Sequence, residues 1–174
     1  YEIRWFSPLT EIAFCGHATL ASAYILFREF GVEEKIEFIT REVGTLTVIR
    51  NPEGEIEMTF PNQKPEPVLT APPQLFHGLS KKPIAVLKNR QAYFAVFEHE
   101  QEVIEVTYSP DQLKQLAPFD VVVTSASSEY DFISRYFWPA NGGEEDPVTG
   151  SIHSGLAPYW SEKLGKTDLL AYQA

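Results

Sequence analysis

The chain has 174 residues, 44% of them hydrophobic, which is enough apolar surface to build real cores in a globular protein. A net charge of −10, with Lys and Arg scattered and only Lys81-Lys82 adjacent, excludes a nucleic-acid binder, because phosphate contacts need a basic face. No apolar run approaches the length of a membrane span, no signal-peptide pattern is visible, and one cysteine excludes an internal disulfide, so a cytoplasmic location is expected.

In chain order, residues 2–7 read as a strand. The segment Gly16 to Phe30 is apolar at Leu20, Ala21, Ala23, Tyr24, Leu26 and Phe27, nearly all round, which predicts a central helix buried on all sides. Strands are expected at 36–40, 45–50 and 55–60, the last two forming a hairpin around Asn51-Pro52-Glu53-Gly54. Proline then concentrates at Pro61, Pro65, Pro67, Pro72 and Pro73, which places a domain boundary there: residues 1–66 form one domain and 67–174 the other. In the second half, strands are predicted near 83–88, 92–98 and 102–107. A short helix should follow Ser109-Pro110, with serine as N-cap and proline at the first helical position. Strands at 120–125 and 130–137, a loop at 142–147 and a helix from Thr149 to Leu164, kinked or broken at Pro158, complete the reading. Consecutive strands with few helices make this an α+β chain rather than a doubly wound sheet.

Two stretches repeat one another. Arg4-Trp5-Phe6-Ser7-Pro8 leads to Gly16-His17, an apolar run and Gly31; Arg135-Tyr136-Phe137-Trp138-Pro139 leads to Gly150-Ser151, an apolar run and Gly165. The glycines stand 15 positions apart in both copies, 16 to 31 and 150 to 165. A strand entering a glycine turn, followed by a helix that glycine stops, is used twice. Each helix start offers free backbone N–H groups, the chemistry that holds a small anionic substrate. The flanks are unequal, and matching them predicts roughly 60 residues before Tyr1 and roughly 25 after Ala174 in an intact two-domain protein.

The chemistry sits at those helix starts. Gly16 lets backbone approach a ligand, and His17 is placed to donate to substrate or to move a proton; the plainer alternative is a capping histidine. Cys15 is either a thiolate base favoured by the helix start or a small buried hydrophobe. In the second copy Asp146, Thr149, Gly150 and Ser151 read either as capping residues or as a carboxylate and a hydroxyl beside an anion-binding turn. The equivalence of His17 and Ser151 after equivalent glycines favours the site reading. The four histidines have no metal-ligand spacing, and dinucleotide, P-loop and nucleophile-elbow patterns are missing, so no metal or cofactor is expected.

At Phe14-Cys15-Gly16-His17-Ala18-Thr19-Leu20-Ala21 and Glu145-Asp146-Pro147-Val148-Thr149-Gly150-Ser151 the chain resembles the PhzF-like phenazine-biosynthesis family of the diaminopimelate epimerase superfamily. The resemblance implies two pseudo-symmetric domains, each a curved, mostly antiparallel sheet around a central helix, with the active site in the cleft between them. It implies a cofactor-independent isomerase that shuffles a proton at carbon on a small carboxylate substrate, commonly as a homodimer. By motif, His17, Asp146 and Ser151 match the family's polar site residues, with Gly16 and Gly150 its anion-binding turns. The family's general base, a glutamate on a strand upstream of the Gly-His motif, has no counterpart here, since Glu2 and Glu11 lie too close to His17. Related racemases oppose two cysteines; Cys15 stands at the first position and no cysteine at the second, which disfavours a two-thiol mechanism. A Cys15-dependent epimerase and a non-catalytic binding or interaction module are the alternative functions.

Overall fold

A computed structural model describes residues 1–7 and 10–174. Pro8 of the first repeated motif therefore lies outside the described residues. The chain divides into two compact units, Tyr1–Pro61 and Asn62–Ala174, and both mix sheet with helix.

The first unit begins with an antiparallel pair, β1 (Trp5–Phe6) and β2 (Glu11–Ile12), in the register Trp5↔Ile12 and Phe6↔Glu11. Helix α1 runs Gly16–Glu29 and ends at Gly31, whose φ of 67° is the left-handed geometry that glycine adopts without a Cβ clash. An antiparallel meander follows: β3 (Lys35–Ile39), β4 (Thr45–Arg50) and β5 (Ile56–Met58). The predicted hairpin between β4 and β5 is present, its turn closed by the Gly54 N–H donating to the Asn51 carbonyl. Alternation along β3 turns Ile36 and Phe38 inward, where they meet Leu46, Val48, Ala23, Phe27 and Trp5.

The expectation that α1 is buried on all sides is corrected. It buries one stripe, Gly16, Thr19, Ala23 and Phe27, and exposes Leu20, Tyr24 and Ile25 at 39%, 47% and 45%. An apolar sequence tells how much surface a helix offers for burial, but not how many layers are there to cover it. Among the described residues of this unit, one apolar layer does so.

In the second unit a seven-stranded sheet runs β11-β10-β9-β8-β7-β6, with β12 pairing parallel to β10. The strands are β6 (Glu66–Pro67), β7 (Ala85–Lys88), β8 (Ala92–Val96), β9 (Asp120–Ala126), β10 (Phe132–Phe137), β11 (Glu145–Asp146) and β12 (Ala171–Gln173). Both faces are covered, so β8 is buried at every position rather than at alternate ones. Tyr93, Ala95 and Phe97 join Val121, Val123 and Leu75 on one face; Phe94 and Val96 join Val122, Ile152, Leu156 and Trp160 on the other. Three short helices serve the first face: α2 (Pro73–Gly78), α3 (Glu100–Glu105) and α4 (Pro110–Leu113). The second face carries α5, His153–Leu164, entered through a 3-10 turn at Gly150–Ile152 and stopped by Gly165 with φ 65°.

Two more readings change. Residues 100–105 form α3, which takes in the first part of the strand expected near 102–107. His99 and Glu102 make a capping box, and Val103 and Val106 then face the core at helical spacing. The expected loop at 142–147 contains the two-residue strand β11. Around Ser109-Pro110 the short helix forms as expected, although the serine side chain makes no capping bond. Helix α5 continues through Pro158 without a break.

Candidate functional site

The two helix starts are built alike. In the first unit, the Arg4 guanidinium clasps Glu11 across the β1–β2 pair through two 2.8 Å bonds, from Nε and from Nη2. In the second, Arg135 clasps Glu145 across β10–β11 in the same two-bond fashion, at 2.6 Å and 2.9 Å. The register matches as well: Phe137↔Glu145 and Tyr136↔Asp146 repeat Phe6↔Glu11 and Trp5↔Ile12. Four residues after Ile12 comes Gly16, and four after Asp146 comes Gly150. Thus Asp146 occupies the position of Ile12, and Ser151 that of His17. The scaffold repeats and the chemistry does not.

At the first start, no side chain among the described residues caps α1. Thr19 spends its hydroxyl backward on the Cys15 carbonyl at 2.7 Å. The exposed His17 ring lies 3.6 Å from Cys15 Sγ by either ring nitrogen, so the thiol is set against the imidazole rather than aligned on one nitrogen. Beyond His17 the exposed stripe of α1 (Leu20, Ala21, Tyr24 and Ile25) forms, with Ile56, an open groove of about 600 Å³.

At the second start, the 3-10 turn likewise has no side-chain cap. The capping reading of Thr149 and Ser151 is not what forms. Thr149 donates its hydroxyl to Asp146 Oδ2 at 2.8 Å, and its own N–H goes to Gln173 Oε1 at 2.8 Å. Asp146 Oδ1 accepts from the Val148 N–H at 3.2 Å, so its half-buried carboxylate is held by the loop that enters the turn. Gln173, on β12, also donates to the Asp146 carbonyl, which ties the turn to the sheet edge. Burial lowers the pKa of His153, whose Nδ1 lies 3.2 Å from the Thr149 carbonyl oxygen.

Ser151 is 6% exposed and connects to residues that sequence reading passes over. Gln91 Nε2 reaches both Ser151 Oγ, at 2.9 Å, and Tyr136 Oη, at 3.0 Å. Tyr136 donates to Asp120 Oδ2 at 2.7 Å, and Asn141 Nδ2 donates to Asp120 Oδ1 at 2.9 Å. Burial pushes the Asp120 carboxyl up to about 6, against the pull of those two donors. It also drives the Tyr136 phenol upward, helped by the Asp120 charge. One signal was available in sequence: Asp120 is the charged residue that opens the run Val121-Val122-Val123, and a charge inside a buried strand needs partners.

Among the described residues, no group of three His, Cys, Asp or Glu side chains is placed to hold a metal ion. No helix there is long and apolar enough to cross a membrane. Each of the two helix starts thus pairs open amides with a different polar set, Cys15 with His17 and Asp146 with Ser151.

Comparison with known proteins gives the kinship. An uncharacterized isomerase of Halalkalibacterium halodurans is 46% identical over 178 residues, covering 100% of this chain, and one of Pseudomonas aeruginosa is 42% identical over 175. The chain spans 66% of the length of each. The crystal structure of a PhzF-family phenazine biosynthesis protein from Enterococcus faecalis matches 99% of the chain with a TM-score of 0.86 at 38% identity, again over 66% of that protein. The family model described as phenazine biosynthesis-like protein, PhzC-PhzF, matches residues 1–174 from end to end, and the chain belongs to that family.

Proposed function

We propose that the intact protein is a cofactor-independent isomerase that removes a proton from carbon and returns it elsewhere on a small carboxylate-bearing substrate. The observation that carries this reading is the repeated strand pair, Arg–Glu clasp and uncapped helix start with unequal side chains. Open amides at a helix start stabilise an anion, and removing a proton α to a carboxylate builds the negative charge such groups favour. Gly16 and Gly150 supply the turns and Ser151 a hydroxyl for the carboxylate. His17 and Asp146 orient the substrate or assist proton transfer. The isomerase names of the relatives support the reaction class. We place the protein in the cytoplasm, in keeping with its single cysteine, and take it to be a homodimer, as the family resemblance implies.

The contact between Cys15 and His17 favours a second reading, a Cys15-dependent epimerase, because an imidazole beside a thiol promotes the thiolate. Solvent-deuterium wash-in into a panel of amino and hydroxy acids, with the intact protein, tests both. Exchange that survives Cys15→Ser and is lost in His17→Ala and Asp146→Asn supports the first reading. A large loss in Cys15→Ser moves the chemistry to the thiol. No exchange into any acid of the panel returns the chain to a non-catalytic binding or interaction module.

A further inference from the structure

We propose that Gln91, Tyr136 and Asp120 form a positioning chain that fixes the Ser151 hydroxyl as a hydrogen-bond donor toward the substrate carboxylate. This rests on the reading of Ser151 as a carboxylate-binding group.

A count of hydrogens fixes the direction of each bond. When ionised, the Asp120 carboxylate only accepts, so Oδ2 then takes the single hydrogen of the Tyr136 phenol, 2.7 Å away. The phenol oxygen is then an acceptor toward Gln91, and this settles which end of the Gln91 amide faces it: the NH₂ group, not the carbonyl. That NH₂ group has two hydrogens. One goes to Tyr136 at 3.0 Å and the other to Ser151 Oγ at 2.9 Å. Ser151 therefore receives a hydrogen bond and keeps its own hydrogen, which no acceptor among the described residues takes.

The far end of the chain is anchored as firmly. Asn141 Nδ2 donates to the second Asp120 oxygen, and the Gln91 N–H donates to Asn89 Oδ1 at 2.8 Å, fixing the loop between β7 and β8 from which the side chain projects. Such a chain costs desolvation of a buried carboxylate, which packing alone does not require. Its consequence is directional: a serine with a free hydroxyl rotor would offer an incoming carboxylate lone pairs as readily as a hydrogen. With its lone pair engaged by Gln91, Ser151 meets an anion with a hydrogen.

The test uses the intact protein and acetate as the probe, followed by NMR at the backbone amides of Gly150, Ser151 and Ile152. The wild-type protein is expected to shift these amides on titration. Ser151→Ala and Gln91→Met, the latter neutral and near in shape, should each weaken acetate about tenfold, the effect of one hydrogen bond to a charged acceptor. The double variant should be no weaker than Ser151→Ala alone, because both changes remove the same donor. Tyr136→Phe, which removes the anchor of the Gln91 amide, repeats the comparison if Gln91→Met does not fold, again with no further loss in the Ser151→Ala background. Turn amides that ignore acetate in the wild-type protein overturn the carboxylate reading and this proposal with it. Turn amides that bind acetate while the Gln91 and Ser151 effects multiply independently overturn the positioning chain alone.

Discussion

The Asp120 carboxyl makes a measurable demand on the stability of the second unit. In an unfolded chain it titrates with the ordinary value of 3.8, while burial in the fold raises it to about 6. The folded state holds the proton more tightly, so ionisation favours unfolding. The associated stability is complete below 3.8 and is lost as pH rises through about 6. At 1.36 kcal/mol per tenfold, the difference amounts to about 3 kcal/mol over the whole titration, and to about 2 kcal/mol between about pH 4.5 and about pH 7.5. Other carboxylates contribute with opposite sign and at lower pH: the Lys166 ammonium holds Asp131 below its usual value, so its contribution is lost as pH falls. The effect of Asp120 is therefore read as a difference. Denaturant unfolding of the wild type and of Asp120→Asn, measured at several pH values, should give a stability difference that moves against the wild type by about 2 kcal/mol across that window. Asparagine keeps an oxygen to accept from Tyr136 and carries no charge, so its own curve lacks this component. A difference that stays flat, or that moves in favour of the wild type as pH rises, refutes the account of Asp120 as a carboxylate ionised at a cost.

The other stability predictions concern the repeated scaffold and its packing. Arg135 clasps Glu145 and also donates to the Val103, Ile104 and Val106 carbonyls at the end of α3, with its side chain 15% exposed. Arg135→Ala should cost about 2–4 kcal/mol in denaturant unfolding, because it strands a carboxylate and three carbonyls. Arg4→Ala, at the exposed clasp, should change stability much less, and equal effects would refute the comparison. A Cβ at Gly155 would stand 2.5 Å from Phe94 Cζ and 2.9 Å from Asn89 Nδ2, and Phe94 is wholly buried. Gly155→Ala should therefore destabilise by about 1–2 kcal/mol despite alanine's better helix propensity, and a neutral or stabilised variant would refute the close approach of α5 to β8.

What was legible in the sequence was the punctuation. Gly31 and Gly165 stop their helices where spacing placed them, Asn51 and Gly54 turn the hairpin, and Pro110 opens α4. These signals are local, resting on a φ angle or a missing N–H that one residue carries by itself. The readings that changed depended on partners. Val103, Ile104 and Val106 look like a strand until His99 and Glu102 close a capping box around them. The apolar faces of α1 and α5 look equivalent, yet Leu20 and Ile25 are exposed while their counterparts at the same offset of 134, Ser154 and Tyr159, are buried. Gln91 was invisible for the same reason. A glutamine after Asn89-Arg90 reads as turn solvation, and only the arrival of β9, β10 and the 3-10 turn gives its amide two oxygens to bind.

The repeat explains why the two helix starts differ without their scaffolds differing. Matching register puts position 12 of one copy and position 146 of the other at the same point of a strand pair, with a glycine turn four residues on. In the first copy that point holds Ile12, which packs against the core of its unit. In the second it holds Asp146, whose carboxylate turns to the Val148 N–H and the Thr149 hydroxyl. A buried or half-buried carboxylate is tolerated only where donors already converge, and here they come from the turn itself. The exchange of apolar for acidic thus alters what the turn presents to a ligand while leaving the strand pair and the Arg–Glu clasp intact. Each start thus offers an anion the same kind of backbone amides and sets a different acid or base beside them. Under the isomerase function proposed above, that asymmetry suits a proton that leaves one atom and arrives at another better than it suits the mirror-image exchange of a racemase.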